Sequence, residues 1–435
     1  MEENDSAEDD SQLPQGLLID DNEMEDGEEQ PFDISLPASH SYMGPAQAAD
    51  GCARAFEPGW LGRVPVIAHH GIVFPGETVP ILFTQDADML SHSVHQDKVF
   101  GLLCPDEGGV MASGYGVLCE VYEVLPPADN PEGRGDGSAP LVSFKARATH
   151  RFRCLQMPRR VVPVNAFERL RFMEVRVLED VNFGDPLQQV RLNSLDAQRN
   201  DGSRTARRLR SMDAMLTPWP LFVYEIFDFR RMRRKIREFF KSMALDNIPE
   251  DPLELSFWTA SNMALTPRDR LALFVVDDVL LRLHMEVRLI SKKSVLCCAA
   301  CAIEITRRDY IFAMSTEGVH SNYINLSGIV HDIITVSRVD NTRSSGAASA
   351  EYSWFPGYAW TITVCEVCRS HVGWRFDAQR RKLRPQRFYG LCRNYVLPRF
   401  DGNLPVQPRT SSRTRRLTSR PPDRAQPAGG VWRSE

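Results

Sequence analysis

The chain has 435 residues, of which 43% are hydrophobic and 25% charged, as in a globular protein of two or three domains. Its net charge of −5 is unevenly distributed, because the first 53 residues contain fifteen acidic and no basic residues. The sequence does not open on a basic, apolar leader, and its apolar runs are short, so we expect neither a secretory signal nor a membrane span. Ten cysteines in a chain of this length do not form a disulfide scaffold, and we expect the cytoplasm or the nucleus.

Residues 1–55 are acidic and contain scattered Ser, Gly and Pro. Such a segment cannot bury enough apolar surface to offset the entropy of ordering. We therefore expect a disordered acidic tail here.

Residues 60–180 consist of short apolar runs separated by turn residues, and Val117–Tyr122 alternates as a strand does. The pattern FPG-x-x-x-P, from Phe74 to Pro80, lies early in this β-rich stretch. In this it resembles the Lon N-terminal domain family, whose domain binds substrates. No G-x-x-x-x-G-K-[ST] motif occurs in the sequence, so the resemblance extends to the domain and not to the ATP-dependent protease.

From residue 182 to 290 the apolar period becomes helical. A stripe at spacings of three and four residues comprises Phe222, Ile226, Phe229, Met232, Ile236, Phe240 and Met243. Seven Arg or Lys between Arg230 and Lys241 form the opposite face, which we interpret as solvated or protein-contacting rather than nucleic-acid-binding. A further helix is predicted to begin at Thr266 and to continue through Ile290. We expect a bundle of packed helices without a catalytic constellation.

Two C-x-x-C pairs, Cys298 with Cys301 and Cys365 with Cys368, have the spacing of zinc-binding turns. Four thiolates close the coordination shell of one structural zinc and leave no open position for chemistry. Cys297 remains an alternative to Cys298 at a less usual spacing. We interpret Cys392 as a small core residue, and His331 and His371 as spare ligand candidates.

Aromatic residues cluster around the second of these pairs, at Trp354, Trp360, Trp374 and Phe376. Trp374 and Phe376 are two apart, which places them on one face of a strand. The cluster could be ordinary core, but three Trp beside metal ligands are more than a core of this size needs. We favour an aromatic pocket whose walls are positioned by the metal.

The order of motifs from the first cysteine pair onward is specific. It comprises C-x-x-C, Y-x-N near Asn325, E-x-S-W-F-P-G-Y-A-W, and C-x-x-C-x-x-H-x-G-W-x-F. It closely resembles the cereblon family over residues 36–400, and SLPASHSYMG near Ser35 fits the family's N-terminal segment. The resemblance implies an α+β multidomain fold. A β-rich Lon N-terminal-like domain at 60–290, including the helical bundle at 182–290, would precede a zinc-bound all-β (β-tent) CULT domain at 293–400.

The resemblance also implies a function. The protein would be a non-catalytic substrate receptor of a cullin 4 type RING E3 ubiquitin ligase, with its bundle docked on the ligase's damaged-DNA-binding-protein adaptor. It would bind C-terminal cyclic imide degrons and thalidomide-like imides, and neither nucleic acid nor membrane. The implied ligand-binding residues are Tyr352 and Trp354 through their backbone, Trp354, Trp360 and Trp374 as walls, Phe376 as the base, and Asn325 at the rim.

Three residues bear on this implied site. Tyr352 and Ser327 stand where vertebrate-type sequences have His, and Ile362 belongs to the outer surface, so imide binding is a safer expectation than drug-induced recruitment. Two other functions stay open. A methionine-sulfoxide reductase type B enzyme would need a nucleophilic Cys in the pocket, and a methylammonium reader would need a carboxylate, for which Glu351 is the near candidate.

Residues 401–435 are rich in Arg, Ser and Pro, and we expect a disordered Arg-rich tail. Six Arg lie between Arg409 and Arg424. The group at Arg413–Arg416 fits a nuclear-import patch, and a nonspecific basic tail fits equally well.

Overall fold

A computed structural model describes residues 29–49, 56–83, 97–125, 142–156, 171–190, 192–199, 203–243, 245, 247–292 and 294–400. The predicted tail at 401–435 and residues 1–28 and 50–55 of the other predicted tail lie outside these ranges. The fold is the predicted α+β arrangement, with a β-rich domain, a helical bundle and an all-β domain that contains a four-cysteine cluster. Among the described helices, none has the length and apolar content of a membrane span.

The first domain is built on a seven-stranded sheet in the order β2-β6-β5-β3-β8-β7-β4, in which β6 also pairs with β7. This extra pairing closes five of the strands into a barrel. Gly116 permits the closure, because a Cβ there would lie 2.4 Å from the ring of Phe152. The strands are β1 Gln30–Pro31, β2 Gln47–Ala48, β3 Leu61–Ala68, β4 Thr78–Phe83, β5 Val99–Pro105, β6 Ala112–Leu125, β7 Val142–Cys154 and β8 Arg171–Val177.

The bundle follows the barrel and packs on its outer face. Its longer helices begin at side-chain caps, with Ser203, Asp228 and Asp251 each accepting a backbone N–H of the first turn. The helices, with one short helix that precedes the barrel, are α1 Ser35–Ala38, α2 Asp196–Arg199, α3 Arg204–Met215, α4 Leu221–Tyr224, α5 Phe229–Lys241, α6 Pro252–Asn262, α7 Pro267–Phe274 and α8 Val279–Ile290.

Two helix predictions need correction. The helix predicted from Thr266 to Ile290 is two helices, because Asp278 accepts the backbone N–H of Leu281 and starts a new one. The predicted stripe that begins at Phe222 is also interrupted, since Asp228 caps α5 and leaves Phe222 69% exposed on α4. A continuous apolar period did not reveal either capping Asp, because a carboxylate is compatible with both a helix face and a helix start.

The last domain contains a six-stranded antiparallel sheet, β11-β12-β17-β15-β14-β13, and a three-stranded sheet, β10-β9-β18. The two sheets come together at the ends of β9 and β14, where the four clustered cysteines lie. The strands are β9 Ser294–Cys298, β10 Glu304–Arg307, β11 His320–Ile324, β12 Val330–Val336, β13 Thr342–Ser349, β14 Tyr358–Cys365, β15 His371–Ala378, β16 Leu383–Arg384, β17 Arg387–Cys392 and β18 Val396–Phe400.

The prediction of disorder over residues 1–55 is wrong for residues 29–49. Here β1 pairs in parallel with β16, and Phe32 is buried against Phe355 and Tyr358 of the last domain. Lys145 of the barrel donates to the Ser39 carbonyl, 2.6 Å away. A few apolar side chains are enough to order this acidic segment, because they bind a core that the rest of the chain supplies.

A buried polar network joins the bundle to the last domain. Arg270 of α7 donates to the Asp332 carboxylate, 3.1 Å away on β12, and to the carbonyl of Ile72. Asn322 of β11 donates to Glu77 of the first domain over 2.9 Å. Because these groups are buried, each pair compensates the desolvation of its members and fixes how the domains meet.

A four-cysteine centre behind an aromatic cavity

The four predicted metal ligands converge at the ends of two hairpins. The Sγ atoms of Cys298, Cys301, Cys365 and Cys368 all lie within 4.8 Å of one another. The closest pairs are Cys298 with Cys368 at 3.6 Å and Cys301 with Cys365 at 3.5 Å. Thiolates around a tetrahedral zinc, with bonds of about 2.3 Å, stand roughly 3.8 Å apart, whereas disulfide sulfurs stand about 2.05 Å apart. The spacing therefore fits one structural zinc.

Both cysteine turns have the same backbone conformation. Ala302 donates its N–H to the Cys298 carbonyl over 2.8 Å, and Arg369 donates to the Cys365 carbonyl over 3.0 Å. The two donors both have positive φ, at 61° and 62°. Each turn thus projects its two thiols toward one point. Cys297 is buried outside the cluster, so the alternative to Cys298 is excluded by position.

The second cysteine turn joins β14 to β15, and these strands carry most of the aromatic cluster. In their register, Trp360 lies opposite Phe376 and Ile362 lies opposite Trp374. A zinc bound at this turn would therefore hold the two strands together a few residues from the rings. Cys392 is buried in the same domain and lies in its apolar core, as predicted.

The six predicted ligand-binding residues all line one cavity of about 310 Å³. Phe376 is only 1% exposed and forms its base. The full lining is Asn325, Leu326, Ser327, Glu351, Tyr352, Trp354, Trp360, Ile362, Trp374 and Phe376. The sequence motifs thus placed these side chains correctly in space, while their role in binding stays a prediction.

Two of the three indoles are fixed by hydrogen bonds to the backbone. Trp354 donates its N–H to the Ile324 carbonyl over 2.9 Å, and Trp360 donates to the Glu351 carbonyl over 2.8 Å. Trp354 also stacks on Tyr323, with the ring centroids 5.3 Å apart. Since these N–H groups are already satisfied, the two rings offer apolar faces to the cavity.

Two histidines back the third indole. The rings of His331 and His371 meet Trp374 edge-on at centroid distances of 4.9 and 4.6 Å. Burial lowers the pKa of His331 to about 4 and also lowers the pKa of His371. Both rings are therefore neutral at physiological pH, and they support the wall without adding charge. The sequence analysis named both histidines as spare metal-ligand candidates and did not predict this supporting role.

Asn325 lies at the cavity rim, but its amide is used within its own turn. Its Oδ1 accepts the backbone N–H groups of Ser327 and Ile329, 3.0 and 2.9 Å away. Its Nδ2 lies 3.3 Å from the His331 ring nitrogen. Asn325 therefore shapes the rim loop and the orientation of His331.

Tyr352 adopts a left-handed backbone conformation with φ of 52°, which is uncommon for a residue with a Cβ. Its ring packs edge-on against Tyr42, with centroids 5.2 Å apart. The Tyr42 hydroxyl accepts the backbone N–H of Ile324 over 3.1 Å. Tyr42 thus supports the loop that carries Tyr352 and the carbonyl that holds Trp354, a contribution that the prediction of N-terminal disorder missed.

Comparison with protein families identifies both parts of the chain. The model described as "ATP-dependent protease La (LON) substrate-binding domain" matches residues 63–292, more than half of the chain. The model described as "Yippee zinc-binding/DNA-binding /Mis18, centromere assembly" matches residues 294–398, which include all four cysteines of the cluster. The donor set and the zinc-binding family agree on one structural zinc.

Similar proteins have been described in vertebrates and insects. Protein cereblon of Xenopus tropicalis is 28% identical over 393 residues, which cover 85% of this chain and 85% of the relative. Protein cereblon of Drosophila grimshawi is 31% identical over 388 residues, which cover 86% of this chain but only 55% of that longer relative. Among solved structures, a Lon N-terminal domain protein from Xanthomonas campestris matches 52% of this chain and 98% of its own at 16% identity, with a TM-score of 0.28. From the two domain matches in this order, the four-cysteine centre and these relatives, we conclude that the chain belongs to the cereblon family.

Proposed function

We propose that the protein is a non-catalytic substrate receptor of a cullin 4 type RING E3 ubiquitin ligase that binds C-terminal cyclic imides in the aromatic cavity. The observation that carries the proposal is the arrangement of three Trp around one cavity of about 310 Å³. The indole N–H groups of two of them, Trp354 and Trp360, are already bonded to backbone carbonyls. Such walls suit a small, flat, neutral ring held by stacking. The backbone of Tyr352 and Trp354 would supply the few polar contacts that orient the imide edge.

Calorimetric titration of the zinc-loaded full chain with glutarimide tests this proposal. We expect saturable binding that Trp360→Ala weakens strongly, by about 2–3 kcal/mol, because the variant loses one stacking wall. The variant should still fold, because this ring is only partly buried. Trp219→Ala, which removes an indole 61% exposed on the bundle, serves as the matched control and should bind normally. Normal binding by Trp360→Ala would exclude the cavity as the imide site.

The adaptor proposal is supported by an apolar surface on the bundle. Four large side chains at the end of α3 and the start of α4 are exposed by 61–81%: Met215, Leu216, Trp219 and Phe222. A contiguous exposed apolar segment of this kind is typical of a protein-docking surface. The damaged-DNA-binding-protein adaptor of the cullin 4 ligase would bind there.

The double variant Trp219→Ser with Phe222→Ser tests the docking surface. We expect it to lose co-precipitation of the adaptor while it retains glutarimide binding, and we expect Trp360→Ala to show the reverse pattern. Retained adaptor binding by the double variant would place the interface elsewhere on the molecule.

The reductase alternative has little support in the described part of the chain, because no cysteine lines the cavity. Cys392 is buried in the core, and burial raises the pKa of its thiol, which disfavours a nucleophilic thiolate. The methylammonium alternative rests on Glu351, which lines the cavity. A competition between glutarimide and a trimethyl-lysine peptide separates the two binding proposals. We expect the trimethyl-lysine peptide to leave bound glutarimide in place, whereas a second cyclic imide should displace it.

A further inference from the structure

The bundle contains a second cavity, larger than the aromatic one and opposite to it in character. Its volume is about 530 Å³, and it lies where the first turns of α3 and α5 face each other. Seven of its lining residues are arginines, at positions 199, 204, 207, 210, 230, 231 and 234. Four lining residues are acidic, namely Asp185, Asp213, Glu225 and Asp228. Positive charge is therefore in excess.

The four carboxylates are engaged by three of the arginines. Arg199 pairs with Asp213 at 2.8 Å, and Arg231 pairs with Glu225 at 2.7 Å. Arg210 pairs with Asp185 at 2.7 Å and lies 3.5 Å from Asp228. These ion pairs hold the cavity walls in place, and they leave none of the four lining carboxylates without an arginine partner.

The other four arginines are Arg204 and Arg207 of α3, and Arg230 and Arg234 of α5. All four are exposed, and none forms an ion pair with a carboxylate in the described part of the chain. Two come from each helix, so they approach the cavity from two sides. Guanidinium groups in such a convergent arrangement suit bidentate binding of phosphate oxygens.

The position of these arginines is unfavourable for the helices themselves. The first turns of α3 and α5 contain no acidic residue and instead contain Arg204, Arg230 and Arg231. Positive charge near a helix N-terminus opposes the helix dipole. The N-terminus of α5 already has the Asp228 carboxylate as its cap, whereas α3 is capped by the neutral Ser203. A bound anion would therefore interact favourably with the N-terminus of α3 and with the arginines of both helices.

The floor of the cavity is apolar and includes Leu187, Phe227, Phe229 and Leu280. A carbon skeleton could rest on this floor while charged groups reach the arginines above it. We propose that this cavity binds a small organic molecule that carries two or more phosphate groups. The site is separate from the aromatic cavity, and it adds to the proposed receptor function a ligand-dependent element next to the exposed apolar surface of α3 and α4.

Titration of the full-length, zinc-loaded protein with inositol hexakisphosphate tests the proposal, with inorganic tripolyphosphate as the probe of charge alone. We expect saturable 1:1 binding that becomes at least tenfold weaker in the double variant Arg204→Gln with Arg230→Gln. The matched control, Arg237→Gln with Lys241→Gln, removes the same charge from α5 outside the cavity and should change the affinity less than twofold. Absent binding, or an equal loss in both double variants, would overturn the proposal.

Two further arms separate anion binding from packing, and a lipid from a soluble ligand. Arg204→Lys with Arg230→Lys keeps the charge but removes the guanidinium fork, so its affinity should lie between those of the Gln double variant and the unchanged protein. An affinity no higher than that of the Gln double variant would show that the charge of these positions does not bind the anion and would overturn the proposal. Vesicles that contain phosphatidylinositol bisphosphate test a lipid headgroup as the source of the phosphates. Cosedimentation that soluble inositol hexakisphosphate abolishes would assign the lipid, and no cosedimentation would assign a soluble ligand.

Discussion

The two cavities differ in what their polar groups do before a ligand arrives. In the aromatic cavity, the indoles of Trp354 and Trp360 and the amide of Asn325 are already bonded within the protein. In the bundle cavity, four guanidinium groups face the opening without a carboxylate partner among the described residues. The first cavity therefore suits a neutral ligand, and the second suits an anionic one.

The cavities also differ in what holds their walls. The aromatic walls stand on strands joined at the cysteine turn, whereas the basic walls are held by ion pairs between helices. A change at the metal centre should therefore affect imide binding first, and added salt should affect phosphate binding first, because salt screens exposed charges. Mutation, metal removal and pH should thus act on the two cavities separately.

The largest effect is expected from loss of a zinc ligand. Cys365→Ser removes one of four thiolates from a centre whose metal contributes on the order of 10 kcal/mol to folding in comparable domains. We expect the zinc domain to unfold, with loss of bound zinc and of glutarimide binding, as measured by metal analysis, near-ultraviolet circular dichroism and calorimetry.

The control for this prediction is Cys297→Ala, which removes the neighbouring buried thiol outside the cluster. It should retain one zinc per chain and bind glutarimide. If Cys297→Ala lost zinc and Cys365→Ser kept it, the ligand assignment would be wrong.

Two tryptophans of the same cavity should respond differently to truncation. Trp354 is buried and stacked on Tyr323, so Trp354→Ala should destabilise the zinc domain by about 3–5 kcal/mol. Trp360 is half-buried, so Trp360→Ala should lower stability by about 1 kcal/mol and still weaken imide binding by about 2–3 kcal/mol. Urea unfolding measures the loss of stability and calorimetry the loss of imide affinity, so the two measurements on both variants distinguish a residue that stabilises the fold from one that mainly contacts the ligand. Equal losses of stability would contradict this division.

The cysteine centre could be predicted because its chemistry is local. Two thiols three residues apart fit one turn and one ion, and the spacing alone favoured Cys298 over Cys297. The ordering of residues 29–49 could not be predicted in the same way, because Phe32 and Tyr42 bind rings that lie roughly three hundred positions later in the chain. Composition described the acidity of this segment correctly and carried no information about its binding surface.

The basic cavity was missed for a related reason. The sequence showed a basic face on the helix that contains Arg230, which we interpreted as solvated or protein-contacting. The cavity requires a second helix, with Arg204 and Arg207, at a particular angle and distance. Helical periodicity describes one helix at a time, so it cannot show that two basic first turns face each other.

The N-terminal segment provides a smaller test of the aromatic cavity. Tyr42→Phe keeps the ring against Tyr352 but leaves the Ile324 backbone N–H without its hydroxyl acceptor. We expect a loss of about 1 kcal/mol in stability of the zinc domain and a several-fold loss of imide affinity, because the Ile324 carbonyl orients Trp354. Tyr310→Phe, which changes a hydroxyl away from the cavity, is the control for calorimetry and urea unfolding. Unchanged imide affinity in Tyr42→Phe would show that the N-terminal segment does not support the aromatic cavity.

The smallest effect is expected from pH, and it should distinguish the two cavities. Burial lowers the pKa of His331 from 6.5 to about 4, so the ring beside Trp374 stays neutral between pH 8 and pH 6, and glutarimide affinity should change less than twofold over this range. Because the folded pKa lies below the unfolded value, the stabilising contribution of neutral His331 is complete above pH 6.5 and is lost as pH falls toward 4.

Phosphate groups lose their second charge near a pKa of about 6, so affinity at the basic cavity should fall between pH 8 and pH 6. Calorimetric titrations of both ligands at pH 8, 7 and 6 measure the difference, and parallel profiles would contradict the assignment of a neutral ligand to one cavity and an anion to the other.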